Sequence, residues 1–161
     1  MAALDYFNGL RTPFADPAQR GALWGLTIHT TAPMIYRSLL EATLFGTRAI
    51  VEHYRGEGVA IDGITAIGGI SRKSEFLMQM ASDILHMPLK VAAAAQTGAL
   101  GGAIFAATAA KLHPDVFAAM AVMGSKPDRR YEPDVTRGRT YDRLYENYRR
   151  LGALLAQFPE R

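Results

Sequence analysis

The stretch Ile64-Thr65-Ala66-Ile67-Gly68-Gly69-Ile70-Ser71-Arg72-Lys73 indicates the fold more clearly than any other part of the sequence. Its β-branched start predicts a short strand over residues 64–67, and the two glycines predict a turn into a helix over residues 71–85. That helix is expected to present an apolar face made of Phe76, Leu77, Met80, Ile84 and Leu85.

The same turn is a candidate site for an anion. Glycines let a ligand approach the backbone closely, and the N–H groups of a first helical turn attract negative charge. In that turn Arg72 and Lys73 would face the positive end of the helix dipole, at a cost of about 0.3–1 kcal/mol each, unless a phosphate lay beside them. The residues alone also allow an ordinary strand–helix turn with two solvated cations. The spacing matches neither the Walker loop nor the dinucleotide-binding fingerprint.

Helices and strands alternate on both sides of this turn. A long helix is expected over residues 31–56, with Thr31 as its N-cap and Pro33 in its first turn. A second strand is expected over residues 89–91, followed by a helix rich in Ala and Gly over residues 97–111. Strands separated by helices pair in parallel through right-handed crossovers, which predicts an α/β fold with short parallel strands and flanking helices. Two ion pairs, four residues apart on the long helix, are expected at Arg37–Glu41 and Arg48–Glu52.

The ends of the chain are expected to be less regular. Residues 5–30 combine turn chemistry with aromatic side chains, which predicts an ordered loop packed against the domain. A short helix is expected over residues 114–123, a linker over residues 124–136 and a last helix over residues 137–157. The expected organisation is a domain segment over residues 1–125 and a linker with a C-terminal helix over residues 126–161. Core packing is the expected role of the apolar stripe Tyr141, Leu144, Tyr145, Tyr148, Leu151 and Leu155.

A second glycine motif, Gln96-Thr97-Gly98-Ala99-Leu100-Gly101-Gly102-Ala103, opens the Ala-rich helix. Three glycines in the first turns of a helix cost about 1 kcal/mol each relative to alanine. Either close packing against another helix or a ligand lying on bare backbone would offset that cost, and the composition leaves both explanations open.

Composition excludes several classes of protein. With 161 residues, 49% of them apolar and a net charge of +3, the chain suits one globular domain and is neither a polycation nor a disordered acidic tail. It contains no cysteine, and its four histidines are scattered, so no zinc site is expected. Asp16 and Asp83 are expected in a turn and on a helix surface. No apolar run approaches the roughly 20 residues of a membrane helix and no signal pattern opens the chain, so a cytoplasmic location without a membrane partner is expected.

Several short motifs resemble, in order, the C-terminal domain of the FGGY carbohydrate kinases. The resemblance extends from residue 5 to about residue 125. It is carried by Asn8-Gly9-Leu10-Arg11-Thr12-Pro13, Asp16-Pro17, Arg20-Gly21, Gly25-Leu26-Thr27, Glu41, Arg48, Gly68-Gly69, Asp83-Ile84-Leu85 and Ala99-Leu100-Gly101. Within the family the chain is most similar to the ribulokinase subgroup, through Asp5-Tyr6-Phe7-Asn8-Gly9, Gly68–Lys73, Ala103–Ala107 and Tyr141–Tyr148.

The resemblance implies part of an actin-like ATPase (ribonuclease H-like) domain and an enzyme that transfers the γ-phosphoryl group of Mg-ATP to a sugar hydroxyl. It places Gly68 and Gly69 at the adenosine and α-phosphate of ATP and Lys73 near the nucleotide. It also implies that Gln96, Gly98 and Gly101 line the same pocket.

Parts of the family pattern are missing from this sequence. The N-terminal domain with its Asp-x-Gly-Thr turn and sugar contacts is absent, as are the catalytic aspartate and a Gly-Thr-Gly phosphate loop. We therefore expect no catalytic residue and no metal ligand in this chain, and no kinase activity from it alone. An alternative is a non-catalytic assembly or regulatory module that keeps the fold. Binding of nucleic acid by the basic tail is not expected.

Self-association is a further expectation. The family's sheet has five strands, and only the last two are expected in this chain. A two-stranded parallel sheet would leave both of its edges unpaired, which favours a homo-oligomer or else poor solubility. The alternative is that residues 5–30 or the C-terminal helix fold over the gap.

Overall fold

A computed structural model describes residues 1–158. Its elements, in chain order, are β1 (Ala2–Leu4), β2 (Ala22–Trp24), α1 (Ala32–Gly56), β3 (Ile64–Ala66), α2 (Gly69–Lys73), α3 (Glu75–Leu85), β4 (Leu89–Ala92), α4 (Thr97–Ala109), α5 (Val116–Met123), β5 (Pro127–Tyr131) and α6 (Val135–Leu155). The expected α/β class with alternating strands and helices is confirmed.

Two small sheets organise the chain. β1 and β2 pair antiparallel, so a strand lies within the segment that was expected to be all loop. In the other sheet, of order β3-β4-β5, β3 and β4 are parallel as expected, with Thr65 opposite Lys90.

The linker expected over residues 124–136 is wrong, because it contains β5, which pairs antiparallel with β4. Proline and charged side chains fill this strand, and an edge strand tolerates both because one side of its backbone has no partner strand. β5 covers one edge of β4. The outer edge of β3 has no partner strand among residues 1–158.

The single helix expected over residues 71–85 is also wrong, because it is two helices separated at Ser74. Ser74 is extended, and its hydroxyl accepts a hydrogen bond from the backbone N–H of Leu77 at 3.2 Å, which caps α3. Arg72 and Lys73 therefore lie in the last turn of α2, where the helix dipole favours a cation. The argument that these two cations need an anion to offset the dipole does not hold.

The two long helices largely follow the pattern of the sequence. α1 begins directly after Thr31, although the Thr31 side chain makes no capping hydrogen bond. Both expected ion pairs of α1 are confirmed, at 2.9 Å for Arg37–Glu41 and 2.8 Å for Arg48–Glu52. The stripe on α6 is core, as expected, with Tyr141, Tyr145, Tyr148 and Leu151 buried.

The main core lies where β1, α1, α3 and α6 meet. Leu4 of β1 is fully buried between α1 and α6, and the Tyr6 hydroxyl donates to the Tyr148 hydroxyl at 3.1 Å. Met80 and Ile84 bring α3 into the same core, whereas Phe76, expected on this face, is exposed. Because α6 shares a core with α1 and α3, its packing is continuous with that of residues 1–125, and the division at residue 125 stays a prediction.

Asp83 was expected on a helix surface, and that expectation is wrong. Its side chain is 1% exposed and accepts hydrogen bonds from the Gln79 amide, the backbone N–H of Asp134 and the Arg137 guanidinium. A buried carboxylate needs such partners because burial removes its hydration. Asp16 is a turn residue as expected, since its carboxylate accepts from the backbone N–H of Ala18.

α4 and α5 are apolar on all sides and yet mostly exposed. Neither helix contains a charged residue. α4 buries only Ile104 and Ala107, and α5 buries only Ala119. A helix that is apolar all round is normally buried. The composition of α4 and α5 is therefore that of buried helices, although both are mostly exposed. None of the helices in residues 1–158 is both long and apolar enough to cross a membrane.

Candidate functional site

The two glycine motifs lie at the same edge of the β3-β4-β5 sheet. β3 ends at Ala66, and Gly68 then caps α2 with a φ of +88°, a left-handed value that glycine adopts without strain. β4 ends at Ala92, and Gln96 is the N-cap of α4. Because β3 and β4 are parallel, their carboxyl ends meet at one edge, which is where open α/β sheets bind ligands.

A hydrogen bond joins the two turns. Nη1 of Arg72 on α2 donates to the carbonyl oxygen of Ala93 at 2.9 Å. The loop after β4 is also held on its other side. The backbone N–H of Ala94 donates to the Ser125 hydroxyl oxygen at 2.8 Å, and the backbone N–H of Ala93 donates to the Lys126 carbonyl oxygen at 3.0 Å. The loop between the two motifs is therefore fixed from both sides. Nothing in the sequence signalled this contact, because Arg72 and Ala93 lie 21 residues apart.

The glycines of both motifs face open space. A Cβ added at Gly68, Gly69, Gly98, Gly101 or Gly102 would have no heavy atom within 4 Å. Gly138 of α6 shows the contrast, since a Cβ there would lie 2.7 Å from the His86 ring. Close helix packing therefore explains Gly138 but does not explain the glycines of α4. The other explanation, a ligand lying on bare backbone, stays a prediction, since Gly56 and Gly58 are open to the same degree.

The other predicted site residues surround these turns. Lys73 is exposed at the end of α2 and has no ion-pair partner in the described part of the chain. Gln96 is exposed, and its side chain makes no capping hydrogen bond to α4. Both side chains remain available to a ligand. Their roles, and those of the glycines, stay predictions.

Residues 1–158 contain no group of three or more His, Asp or Glu side chains arranged to hold a metal ion. No described residue is assigned to the metal that accompanies ATP in the family.

A cavity lies elsewhere in the molecule. It measures about 470 Å³ and is enclosed by the loop 6–19, α1 and α6. None of its lining residues belongs to the two glycine turns. The sequence did not predict this cavity, because its walls come from three segments that are far apart along the chain.

Solved structures with the same fold are sugar kinases. A xylulose kinase from Lactobacillus acidophilus superposes with a TM-score of 0.85 and 26% identity over 97% of this chain, which is 31% of that chain. A xylulose kinase from Rhodospirillum rubrum gives a TM-score of 0.80 and 27% identity. A Plasmodium falciparum glycerol kinase, at 21% identity, shares the fold with a TM-score of 0.76. The fold is the actin-like ATPase fold of these kinases.

Sequence comparison identifies the family of kinases to which the chain belongs. The C-terminal domain of the FGGY family of carbohydrate kinases matches residues 1–110, and the chain belongs to that family. Ribulokinases from Shouchella clausii and Bacillus licheniformis are 39% and 40% identical to it over 155 residues. Those alignments cover 94% of this chain and 28% of each relative, so the chain spans less than a third of their length.

Proposed function

We propose that this chain supplies the ATP-binding side of a ribulokinase-like sugar kinase, which transfers the γ-phosphoryl group of ATP to a sugar hydroxyl. The observation that carries the proposal is the pair of open glycine turns at the carboxyl ends of β3 and β4, joined by the Arg72–Ala93 hydrogen bond. The identity to ribulokinases supports the choice of subgroup.

In this proposal the residues of the chain bind and position the nucleotide. The backbone at Gly68 and Gly69 lies against the adenosine and α-phosphate, where any side chain would stand in the way. Gly98 and Gly101 form a second bare surface, and Lys73 and Gln96 offer hydrogen-bond donors beside it. Arg72 holds the two turns at a fixed separation. Phosphoryl transfer depends mainly on such positioning, together with charge stabilisation that other parts of a kinase provide.

The test is a calorimetric or NMR titration of the 161-residue polypeptide with ATP and ADP. We expect binding in the millimolar range, because a single wall buries less of a ligand than a closed pocket does. The alternative, a module that keeps the fold without binding a nucleotide, predicts no signal in either titration.

The variant Gly69→Val tests whether the nucleotide binds at the Gly68-Gly69 turn. Valine places a side chain where the nucleotide would approach, and it should not disturb folding, since the position is helical, has no neighbour within 4 Å and tolerates valine better than glycine. Gly56→Val is the matched control, because Gly56 is equally open at the end of α1. Loss of binding in Gly69→Val alone supports the site, whereas equal titrations of the two variants contradict it.

A further inference from the structure

The cavity between α1, α6 and the loop 6–19 has the size of a ligand pocket. Its volume of about 470 Å³ lies within the range of roughly 300–1,000 Å³ typical of small-molecule sites. It exists because small residues face one another across the two helices, leaving space that larger side chains would fill. Those residues are Gly46 and Ala49 on α1, Gly152 and Ala153 on α6, and Ala156 directly after α6.

The body of the cavity is apolar and aromatic. Its walls include Leu10, Pro13 and Phe14 from the loop and Tyr145 and Tyr148 from α6. The Phe14 ring is held edge-on against the His53 imidazole, with 6.3 Å between centroids. The Tyr148 hydroxyl already accepts a hydrogen bond from the Tyr6 hydroxyl at 3.1 Å. Such walls favour a ligand with a flat apolar body.

The one carboxylate among the residues that line the cavity, that of Glu52, already accepts from two donors. Glu52 accepts from the Tyr145 hydroxyl at 2.8 Å with one carboxylate oxygen and from Arg48 Nε at 2.8 Å with the other. The guanidinium of Arg48 pairs with Glu52 and also with Asp142, so it offsets the negative charge of Glu52 in part. Burial and the hydrogen bond to Glu52 both raise the pKa of Tyr145, which keeps this phenol a neutral donor.

The free polar groups of the cavity are one cation and several neutral side chains. Arg149 lines the cavity, with its Cζ 6.0 Å from the centre of the Tyr145 ring. It has no ion-pair partner within residues 1–158, whereas Arg150 beside it pairs with Glu146. The His53 ring and the Thr12 hydroxyl also line the cavity and have no hydrogen-bond partner in the described chain. The Gln19 amide oxygen lines the cavity as well and accepts no hydrogen bond in the described chain, so the cavity offers both donors and neutral acceptors. Its free charged group is the Arg149 guanidinium, and a carboxylate suits a guanidinium best.

We infer that this cavity binds a small carboxylic acid with an apolar ring, its carboxylate on Arg149 and its ring between α1 and α6. The inference is independent of nucleotide binding, because the cavity shares no residue with the glycine turns. It gives this chain a second ligand site, of a different chemical class.

Three probes share the same naphthalene ring system and differ in the charge of the group attached to it. They are 2-naphthylacetic acid, 2-naphthylethanol and 2-naphthylethylamine, and they test which charge the cavity prefers. Saturation-transfer NMR on the 161-residue polypeptide gives their affinities, and amide shifts of Gly46 and Gly152 report the place of binding. We expect the acid to bind about tenfold or more tightly than the alcohol or the amine, since a hydrogen bond to a charged group contributes more than a neutral one. Tighter binding of the amine would show that Glu52 dominates and would overturn the inference, as would equal binding of the acid and the alcohol.

Variants of α6 complete the test. Arg149→Gln should weaken binding of the acid about tenfold and leave the alcohol unchanged. Arg143→Gln is the matched control, because Arg143 is exposed on the same helix and does not line the cavity. Ala153→Leu fills the cavity from an exposed helical position and should abolish binding of all three probes. Thermal unfolding confirms that each variant is folded, and binding of the acid that survives both Arg149→Gln and Ala153→Leu contradicts the site.

Discussion

The guanidinium Nε of Arg137 on α6 donates to Oδ2 of Asp83 on α3 across 2.6 Å, although 54 residues separate them. The carboxylate is buried, and two further donors, the Gln79 side chain and the Asp134 backbone, complete its hydrogen bonds. This cluster fixes the start of α6 against α3. Asp83→Ala removes the hydrogen bonds from all three donor groups at once and should destabilise the chain by roughly 2–3 kcal/mol.

Urea unfolding at neutral pH measures that loss. Asp115→Ala is a useful comparison, because Asp115 is exposed and caps only the short helix α5. Its substitution should cost about 1 kcal/mol, the usual value of an N-cap. An Asp83→Ala variant that is as stable as wild type would mean that α6 docks through its apolar stripe alone.

The ion pairs of Asp142 should make the stability of the folded chain depend on pH. Its carboxylate lies 2.7 Å from Arg48 Nη1 and 2.7 Å from His86 Nε2, so it joins α6 to α1 and α3. Burial raises the pKa of Asp142, but the hydrogen bonds from His86 and Arg48 outweigh burial and leave the pKa below its ordinary value. The stability from this carboxylate is therefore fully present above its unfolded pKa of about 3.9 and is lost as the pH falls through the lower folded pKa.

Asp142→Asn should therefore be less stable than wild type at pH 6, by less than about 1 kcal/mol because the carboxylate is partly exposed. The difference should shrink below about pH 4, where the wild-type carboxylate begins to protonate. Urea unfolding at several pH values between 3 and 6 measures it. Glu57→Gln, at an exposed residue after α1, should show no such dependence. A constant difference at every pH would contradict this assignment.

The sequence predicted the elements whose pattern is local. α1, β3, β4 and the stripe of α6 each have apolar spacing or caps within a few residues. The break between α2 and α3 also had a local signal, since Ser74 followed by Glu75 is typical of a helix start.

Other features depended on distant partners. β5 is a strand because β4 is beside it, while its own residues, Pro127 to Tyr131, show no apolar alternation. Asp83 gave no sign of burial, because its cation lies on α6. The two glycine motifs were found because glycine at a strand end is visible in sequence. The Arg72–Ala93 contact and the cavity beside Arg149 arise only in the folded chain.

The 161-residue polypeptide, produced on its own, should show no sugar kinase activity. Phosphoryl transfer needs phosphate-binding loops and a base for the attacking hydroxyl, and the Asp-x-Gly-Thr and Gly-Thr-Gly motifs that bind phosphate in the family do not occur in this sequence. A coupled ADP-release assay with ribulose, xylulose and glycerol checks this, with a full-length ribulokinase as the positive control. Sugar-dependent turnover near the ordinary kinase rate of about 1–100 s⁻¹ would contradict the prediction.

The same polypeptide should self-associate. β5 covers the free edge of β4, which corrects the expectation of two open edges, but the outer edge of β3 stays unpaired among residues 1–158. The uncharged helices α4 and α5 add exposed apolar side chains, with Phe105 68% and Phe117 77% exposed. Exposed strand edges and apolar helix faces both favour association, most simply as a two-fold dimer.

Sedimentation equilibrium at about 100 µM, a concentration at which weak dimers with a micromolar Kd are populated, measures the association. Phe117→Lys should shift the equilibrium toward the monomer, since a charge on this face opposes burial. Val135→Lys is the control, because Val135 is also largely exposed, at 68%, but lies at the start of α6. If α5 forms the dimer contact, only Phe117→Lys weakens the association. Urea unfolding should show that both variants are as stable as wild type. A stable wild-type monomer of 17.6 kDa that unfolds cooperatively would contradict the prediction, and would mean that the apolar faces of α4 and α5 remain in water without a partner.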